Sequence, residues 1–496
     1  MRRFGVLLAC LAASGLLGPP AARAEPASRP KLESASRSGT AQAAESLARW
    51  VQKEHGELSL LVVELPSRQV LADKNAALAL NPASNAKVLT AAAALSKLGA
   101  DYRFKSGLYG ALEGGSVDRL VLRSNGDPSL GAKDFEKLVK DLTDRGLKRV
   151  GEVLVDQSAF DDHFVPPAFE QQPNEWAPFR APVAAVSVDE NAFVVRVLPG
   201  AAVGEPAKVS IDPPGFVTLE NKVTTDKKGK SRRLQVELRP ADRALTLRIS
   251  GQISLADKGT AFAKRVDDPR HYAGHVLRAI LQRQGVVVDG GVREGGKSES
   301  RVLSERKSEP LSSLVRELGK NSDNFYAEML LKAIGAESGK RPGSSADGAA
   351  EVLQWMKSQK AVDSGTRVVN GSGLFDANRV SAWSLVAALA AARDDPKVGK
   401  PFLDQLAEGG VDGTLKHRFR SARTRKVRAK TGTLARAHSL AGYILGADGQ
   451  PRIAFAILLN GIAGKADEQR RGIDRVVERA RAELAKSEQN SEAARR

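Results

Sequence analysis

Ser84 and Lys87 stand three residues apart in the run Ser84-Asn85-Ala86-Lys87. A serine hydroxyl is a poor nucleophile at neutral pH. It needs a base beside it and donors for the oxyanion it creates. On a helix, positions i and i+3 share a face, so the lysine amine can reach the serine oxygen. A protonated amine cannot take a proton, so its pKa has to fall, through desolvation and through a second positive charge nearby. A helix starting at Ser84 adds backbone N–H groups and a positive dipole end. Far downstream, Lys430-Thr431-Gly432-Thr433 supplies that second charge in Lys430. Thr431 and Thr433 offer hydroxyls for a terminal carboxylate, and Gly432 lets a ligand approach a strand backbone closely. Between the two runs lies Ser322-Asp323-Asn324. Side chains two apart in an extended segment point the same way. The Ser322 hydroxyl can then relay a proton to a leaving amine while the Asn324 amide holds a substrate carbonyl.

No single one of these runs is specific. Ser-x-x-Lys also occurs at Ser28–Lys31 and Ser304–Lys307, whereas the Lys-Thr-Gly and Ser-x-Asn runs each occur once. The ordered set carries the weight. His271 and His275 could meet on a helix, but no glutamate follows the first as a zinc peptidase requires. Asn370-Gly371-Ser372-Gly373 lacks the full pattern of a glycine-flanked serine elbow. Neither a metal nor a cofactor is expected.

The elements that must position these residues follow from the texture of the chain. Arg2 and Arg3 precede the apolar stretch Phe4–Leu17, and Ala22-Arg23-Ala24 fits a signal-peptide cleavage site, so residues 1–24 are expected to be removed on export. The only cysteine, Cys10, leaves with them, and too little apolar chain precedes it for a lipoprotein box. The exported chain therefore has neither a disulfide framework nor a cysteine nucleophile. It is expected in the periplasm or cell envelope. The net charge of +18 falls to about +15 without Arg2, Arg3 and Arg23. In that compartment it favours peripheral contact with an anionic envelope or membrane surface over nucleic acid.

Asn81-Pro82-Ala83 breaks the chain before a helical pattern from Ser84 to Leu98. Residues 25–102 thus form the first part of a catalytic domain. Residues 103–267 change character: Leu120–Arg123, Glu152–Val155, Phe193–Leu198, Lys208–Ile211, Leu234–Leu238 and Leu245–Ile249 read as short strands between turns. They predict a β-rich insertion of one or two lobes, with a charged hairpin tip at 227–233. Residues 268–486 return to helices over Tyr272–Gln284, Pro310–Leu318, Phe325–Ile334 and Ala346–Ser358, then to strands over Ser439–Leu445 and Ile453–Asn460. An amphipathic helix from Gly472 closes the domain, and residues 487–496 are expected to be a disordered tail.

Three motifs in this order resemble the penicillin-binding proteins, and the long insertion resembles their low-molecular-mass class C, the D-Ala-D-Ala carboxypeptidase/endopeptidase family. Gly126-Asp127-Pro128, Gly413-Thr414-Leu415 and Leu440-Ala441-Gly442-Tyr443 are similar to further segments of that family. Asn370 and Phe375 depart from it, since an aspartate and a serine are usual there. The resemblance implies an α/β fold: a transpeptidase/serine β-lactamase-like domain with a central antiparallel sheet flanked by helices, interrupted by the insertion. It implies acylation of Ser84 by peptidoglycan stem peptides and cross-links, and covalent inhibition by β-lactams. It implies Lys87 as base, Ser322 as proton shuttle, Lys430 as carboxylate anchor, and the N–H groups of Ser84 and Thr433 as oxyanion donors. A serine β-lactamase and a non-catalytic wall-binding protein remain open at this stage. Asp156, at the end of the apolar run Val153-Leu154-Val155, is expected to bind the side-chain amine of a stem peptide.

Overall fold

The computed structural model of the chain describes residues 38–227, 233–241, 244–421 and 426–495. The leader with Cys10, the Ser28–Lys31 run, most of the charged hairpin tip, Arg423 and Arg425 lie outside the described residues. The first elements are helix α1 (Gly39–Lys53), strands β1 (Glu57–Glu64) and β2 (Val70–Lys74), and helix α2 (Ala86–Leu98). An inserted body follows with β3 (Lys105–Tyr109), β4 (Ser116–Ser124), α3 (Ala132–Asp144), β5 (Arg149–Asp156), β6 (Ala192–Leu198) and β7 (Lys208–Asp212). It continues through β8 (Val217–Asp226), β9 (Arg233–Ala241), β10 (Ala244–Ser254), β11 (Thr260–Arg265), α4 (Tyr272–Arg283), β12 (Val287–Val288), β13 (Val292–Glu294) and β14 (Val302–Lys307). The chain returns through α5 (Leu311–Asn321), α6 (Asn324–Glu337), α7 (Ser345–Ser358), α8 (Ala382–Asp394) and α9 (Gly399–Gln405). It ends with β15 (Ala407–Glu408), β16 (Val427–Leu434), β17 (Ala437–Leu445), β18 (Pro451–Asn460) and α10 (Ala466–Arg495).

One antiparallel sheet, in the order β15-β16-β17-β18-β1-β2, joins the two ends of the chain. Glu57 lies opposite Asn460 and Glu64 opposite Ile453, so the first strand is fixed by the last. Every residue of β17 is buried. A strand covered on both faces loses the apolar–polar alternation of a half-exposed one. Here α1 and α10 cover one face with a core that includes Leu47, Phe455 and Val476. The other face packs on α2 and α8 in a core that includes Val88, Leu385 and Leu458. Helix α2 is buried from Ala86 to Leu95, and its run of four alanines lets neighbouring helices approach closely.

The inserted body has its own core, which includes Phe135, Val153, Phe193, Ile249 and Leu277. Its main sheet runs β12-β5-β4-β3-β14, with β13 also on β5, and two three-stranded sheets, β8-β10-β9 and β11-β6-β7, complete it. The segments expected as strands between 120 and 249 all form strands. The body extends beyond the expected limit at 267, because β12 and β13 pair in parallel with β5 and β14 pairs with β3. Helix α4, expected in the catalytic domain, packs Val276, Leu277 and Ile280 into the core of the inserted body. The closing helix α10 also continues to Arg495 instead of stopping near Lys486. Among the described residues no helix is long and apolar enough to cross a membrane.

Candidate active site

The site forms where α2, the α5–α6 junction and β16 converge. Ser84 sits in a short 3-10 turn, Ala83–Asn85, with α2 starting just after it at Ala86. Ala83 is buried with a φ of 47°, a left-handed conformation costing an alanine about 1–2 kcal/mol. The local structure holds it there. Asn81 Oδ1 accepts from the Ala83 N–H at 2.9 Å, and Asn81 Nδ2 donates to the carbonyl of Phe375 at 3.0 Å. On one side Gly373, at φ 73°, leaves no room for a side chain: a Cβ would stand 1.8 Å from the Ala83 carbonyl oxygen. On the other side a Cβ on Gly432 would stand 2.2 Å from Ser439 Oγ and 2.8 Å from the Pro82 carbonyl. The expected close approach at Gly432 is therefore made by the protein's own turn, which wedges the segment before Ser84 against β16.

Lys87 is fully buried, and its Nζ has three oxygen neighbours: Ser84 Oγ at 3.0 Å, Asn324 Oδ1 at 2.7 Å and the Ser372 carbonyl at 2.7 Å. Only the serine can donate a proton. A neutral lysine gives its two hydrogens to the amide and carbonyl oxygens and turns its lone pair to Ser84. Burial brings Lys87 down to about 7, against the opposing pull of Asp323 and Glu328.

Ser322 ends α5 in the left-handed region at φ 59°, and Asp323 caps α6 by accepting from the Tyr326 N–H at 2.8 Å. This kink, where the spacing predicts an extended segment, brings Ser322 to Lys430 and Asn324 to Lys87. Lys430 Nζ donates to Ser322 Oγ at 2.7 Å and to the Thr431 carbonyl at 2.8 Å. Burial first, then repulsion from Lys87, holds Lys430 well below the ordinary lysine range. The expected effect of one ammonium on the other thus falls on Lys430, while burial is the main cause at Lys87. The crowd of basic residues near Lys430 is partly neutralised: Arg428 and Lys426 both pair with Glu408, at 2.6 and 3.2 Å. Thr433 is exposed on β16.

Several further residues contribute in ways that their local sequence does not show. Thr431 Oγ1 donates to Thr414 Oγ1 at 2.9 Å, and Thr414 is held near β16 by the neighbouring Asp412, which pairs with Lys320 on the last turn of α5. Asn81, Glu328 and Ser372 shape the surroundings of Ser84 and Lys87; local sequence marks Asn81 as a chain break and Ser372 as part of a glycine-flanked run, and nothing local marks Glu328. The inserted body forms one wall. Phe179 O accepts from Asn324 Nδ2 at 2.8 Å, and Phe169 meets the Phe375 ring edge-on at 5.8 Å. Asn370, the other departure from the family pattern, is buried and donates to the carbonyls of Pro167 and Leu374 at 3.0 and 3.1 Å.

Asp156 is not available as a free carboxylate. It is 4% exposed, pairs with Arg123 Nε at 2.6 Å and accepts from the Ser158 N–H at 3.0 Å. The end of β5 is thus a capped turn in which Arg123 already holds the carboxylate, so the expected amine would have to compete with it. Among the described residues no group of three or more histidine, cysteine, aspartate or glutamate side chains is placed to hold a metal ion.

Comparison with known proteins places this geometry. The pattern of the D-Ala-D-Ala carboxypeptidase 3 (S13) family matches residues 40–483. A D-alanyl-D-alanine carboxypeptidase of Actinomadura sp. (strain R39) is 32% identical over 436 residues, covering 82% of this chain and 78% of that protein. D-alanyl-D-alanine carboxypeptidase DacB of Haemophilus influenzae is 25% identical over 417 residues, covering 82% of this chain and 86% of that one. The crystal structure of penicillin binding protein 4 (dacB) from Haemophilus influenzae superposes with a TM-score of 0.74 at 25% identity, over 88% of this chain and 99% of that one.

Proposed function

The chain belongs to the D-Ala-D-Ala carboxypeptidase 3 (S13) family and is a serine peptidase, and we propose that Ser84 is its nucleophile and Lys87 the base that activates it. The substrates in this reading are peptidoglycan stem peptides ending in D-Ala-D-Ala, and cross-links between them. The observation that carries it is the trio of oxygens around Lys87, of which Ser84 alone has a proton to give. Lys87 takes that proton as Ser84 Oγ attacks the carbonyl carbon of the penultimate D-Ala. The backbone N–H groups of Ser84 and Thr433 receive the oxyanion. Ser322 passes a proton to the departing amine, and D-Ala or a cross-linked peptide leaves. Lys87 resupplies Ser322 and is neutral again; it then takes a proton from the attacking water and hands it to Ser84 as the ester breaks. A β-lactam enters the same sequence but leaves no departing fragment, so its acyl-enzyme persists; a Haemophilus influenzae relative of the same fold has been solved with a β-lactam bound. Peptidoglycan lies outside the cytoplasmic membrane, in accord with the reading of residues 1–24 as an export signal. Incubation with labelled penicillin should give a stable adduct on the peptide containing Ser84. Rapid turnover would identify a β-lactamase, and absence of label a non-catalytic wall protein.

Lys430 and the Thr431–Thr414 pair would bind the terminal carboxylate. An arriving carboxylate restores the proton that burial and Lys87 work to remove from Lys430. A charge-assisted contact of this kind contributes ~1.5–3 kcal/mol. Lys430→Ala should therefore lower kcat/KM for a free-carboxylate peptide about 10–100-fold more than for its amide. Equal losses on the two substrates would mean that Lys430 acts only through Ser322 or Lys87.

A further inference from the structure

Glu328 is a fully buried carboxylate to which the mechanism above assigns no step. A buried charge costs several kcal/mol unless it is paired and hydrogen-bonded. Glu328 lies on α6 four residues after Asn324 and four before Lys332, so the three share one face of the helix. Its two oxygens accept from the N–H groups of Ser372 at 2.8 Å and Gly371 at 3.1 Å. The carbonyls of the same two residues face the other way, onto α2. Ser372 O accepts from Lys87 Nζ at 2.7 Å, and Gly371 O accepts from Thr90 Oγ1 at 2.9 Å. The two residues are therefore clamped between a carboxylate on α6 and the helix that carries the base.

The charges around this clamp alternate in sign. Lys87 lies on one side of Glu328. One helical turn further on, fully buried Lys332 pairs with Asp161 and donates to the His163 carbonyl at 2.8 Å, both in the inserted body. The negative groups acting on Lys87 are Asp323 and Glu328. Lys430 is the cation facing it from β16, and behind Asp323 stand two further carboxyl groups, Glu317 and Glu190. A residue needed merely for packing at this position would be served better by leucine or methionine.

We propose that Glu328 is a positioning residue for the acylation step: it orients the Ser372 carbonyl that aims the Lys87 amine at Ser84, and it links that amine through Lys332 to the inserted body. This rests on the reading of Lys87 as the base. Misplacing a reacting group by about 1 Å can cost ~100-fold in rate.

The test measures the rate of labelled-penicillin acylation from pH 5 to 9, with melting temperatures, for the full chain and two variants. Glu328→Gln removes the charge and one of the two accepted N–H bonds. Its plateau rate should fall about 10–100-fold. Its acid limb should also move to lower pH, because a negative charge favouring protonated Lys87 has gone. Glu328→Asp keeps the charge but withdraws the oxygens, so its rate should fall while its limb stays in place. Wild-type rates in both variants overturn the proposal. So does a slow Gln variant with an unmoved limb and a lowered melting temperature, which marks a structural role. Should the Gln variant not fold, the Asp variant decides: at least a tenfold loss with its melting temperature retained supports positioning, and a wild-type rate overturns it. A wild-type chain whose acid limb lies far from 7 fails the base assignment first, and the proposal with it.

Discussion

Ser84→Ala should abolish penicillin labelling and lower peptide cleavage by about 10³-fold or more, with the fold retained. Loss of the nucleophile removes the covalent route altogether, and what survives is binding and oxyanion stabilisation of a water attack. The fold should tolerate the change, because the turn around Ser84 is held by others. Asn81 bonds the Ala83 N–H, and Asn85 Nδ2 donates to Ser439 Oγ at 2.8 Å, which in turn donates to the Pro82 carbonyl at 2.6 Å. Ser84 itself contributes only the contact with Lys87. Mass mapping of the adduct checks the site directly. A label on Ser304, the serine of another Ser-x-x-Lys run, would defeat the assignment. Ser304 stands on β14 in the inserted body, opposite Leu108 of β3.

The second large effect is at Lys87. As a base it must be neutral, and burial places its pKa near 7. The protonated, inactive form dominates below that value. Acylation should thus fall about tenfold for each pH unit below 7 and level off above it. Lys87→Met should reduce acylation by ~10²–10⁴-fold and erase this acid limb. It would also leave Asn324 Oδ1 and the Ser372 carbonyl without their donor, at a cost of about 1–3 kcal/mol each in stability. A flat profile between pH 5 and 9 in the wild-type enzyme, or a limb near the ordinary lysine value, would exclude Lys87 as the base. A stopped-flow or quenched labelling series across that range is sufficient to decide.

Fold and site differ in how readily they can be read from sequence. The strands of the inserted body announce themselves by alternation and by turn residues, and α4 to α7 by their apolar spacing. Helix α8 does not. Its Ala-, Leu- and Val-rich sequence is apolar nearly all round because it lies between sheet and helices, so no stripe marks it. The end of the inserted body is hidden from local reading for a related reason. Nothing local in Val287–Val288 or Val302–Lys307 says that their partners are β5 and β3, well over a hundred residues earlier.

What the sequence determined by itself is the chemistry: the residue types, their order, and the local spacings that put Ser84 with Lys87 and Ser322 with Asn324. These hold because a helix and a kinked helix junction carry their own geometry within a few residues. Only the tertiary structure decided the states of those groups. Lys87 loses its proton near 7 because α2 is buried among other helices. Lys430 bears the repulsion because β16 brings it near Lys87. Asp156 is not the free carboxylate its place at a strand end suggests, because Arg123 of the neighbouring strand pairs with it. Glu328 matters because a loop far along the chain folds back onto α6. Burial and long-range pairing belong to the packing of the whole chain, and they set protonation and direction where local spacing can supply only proximity.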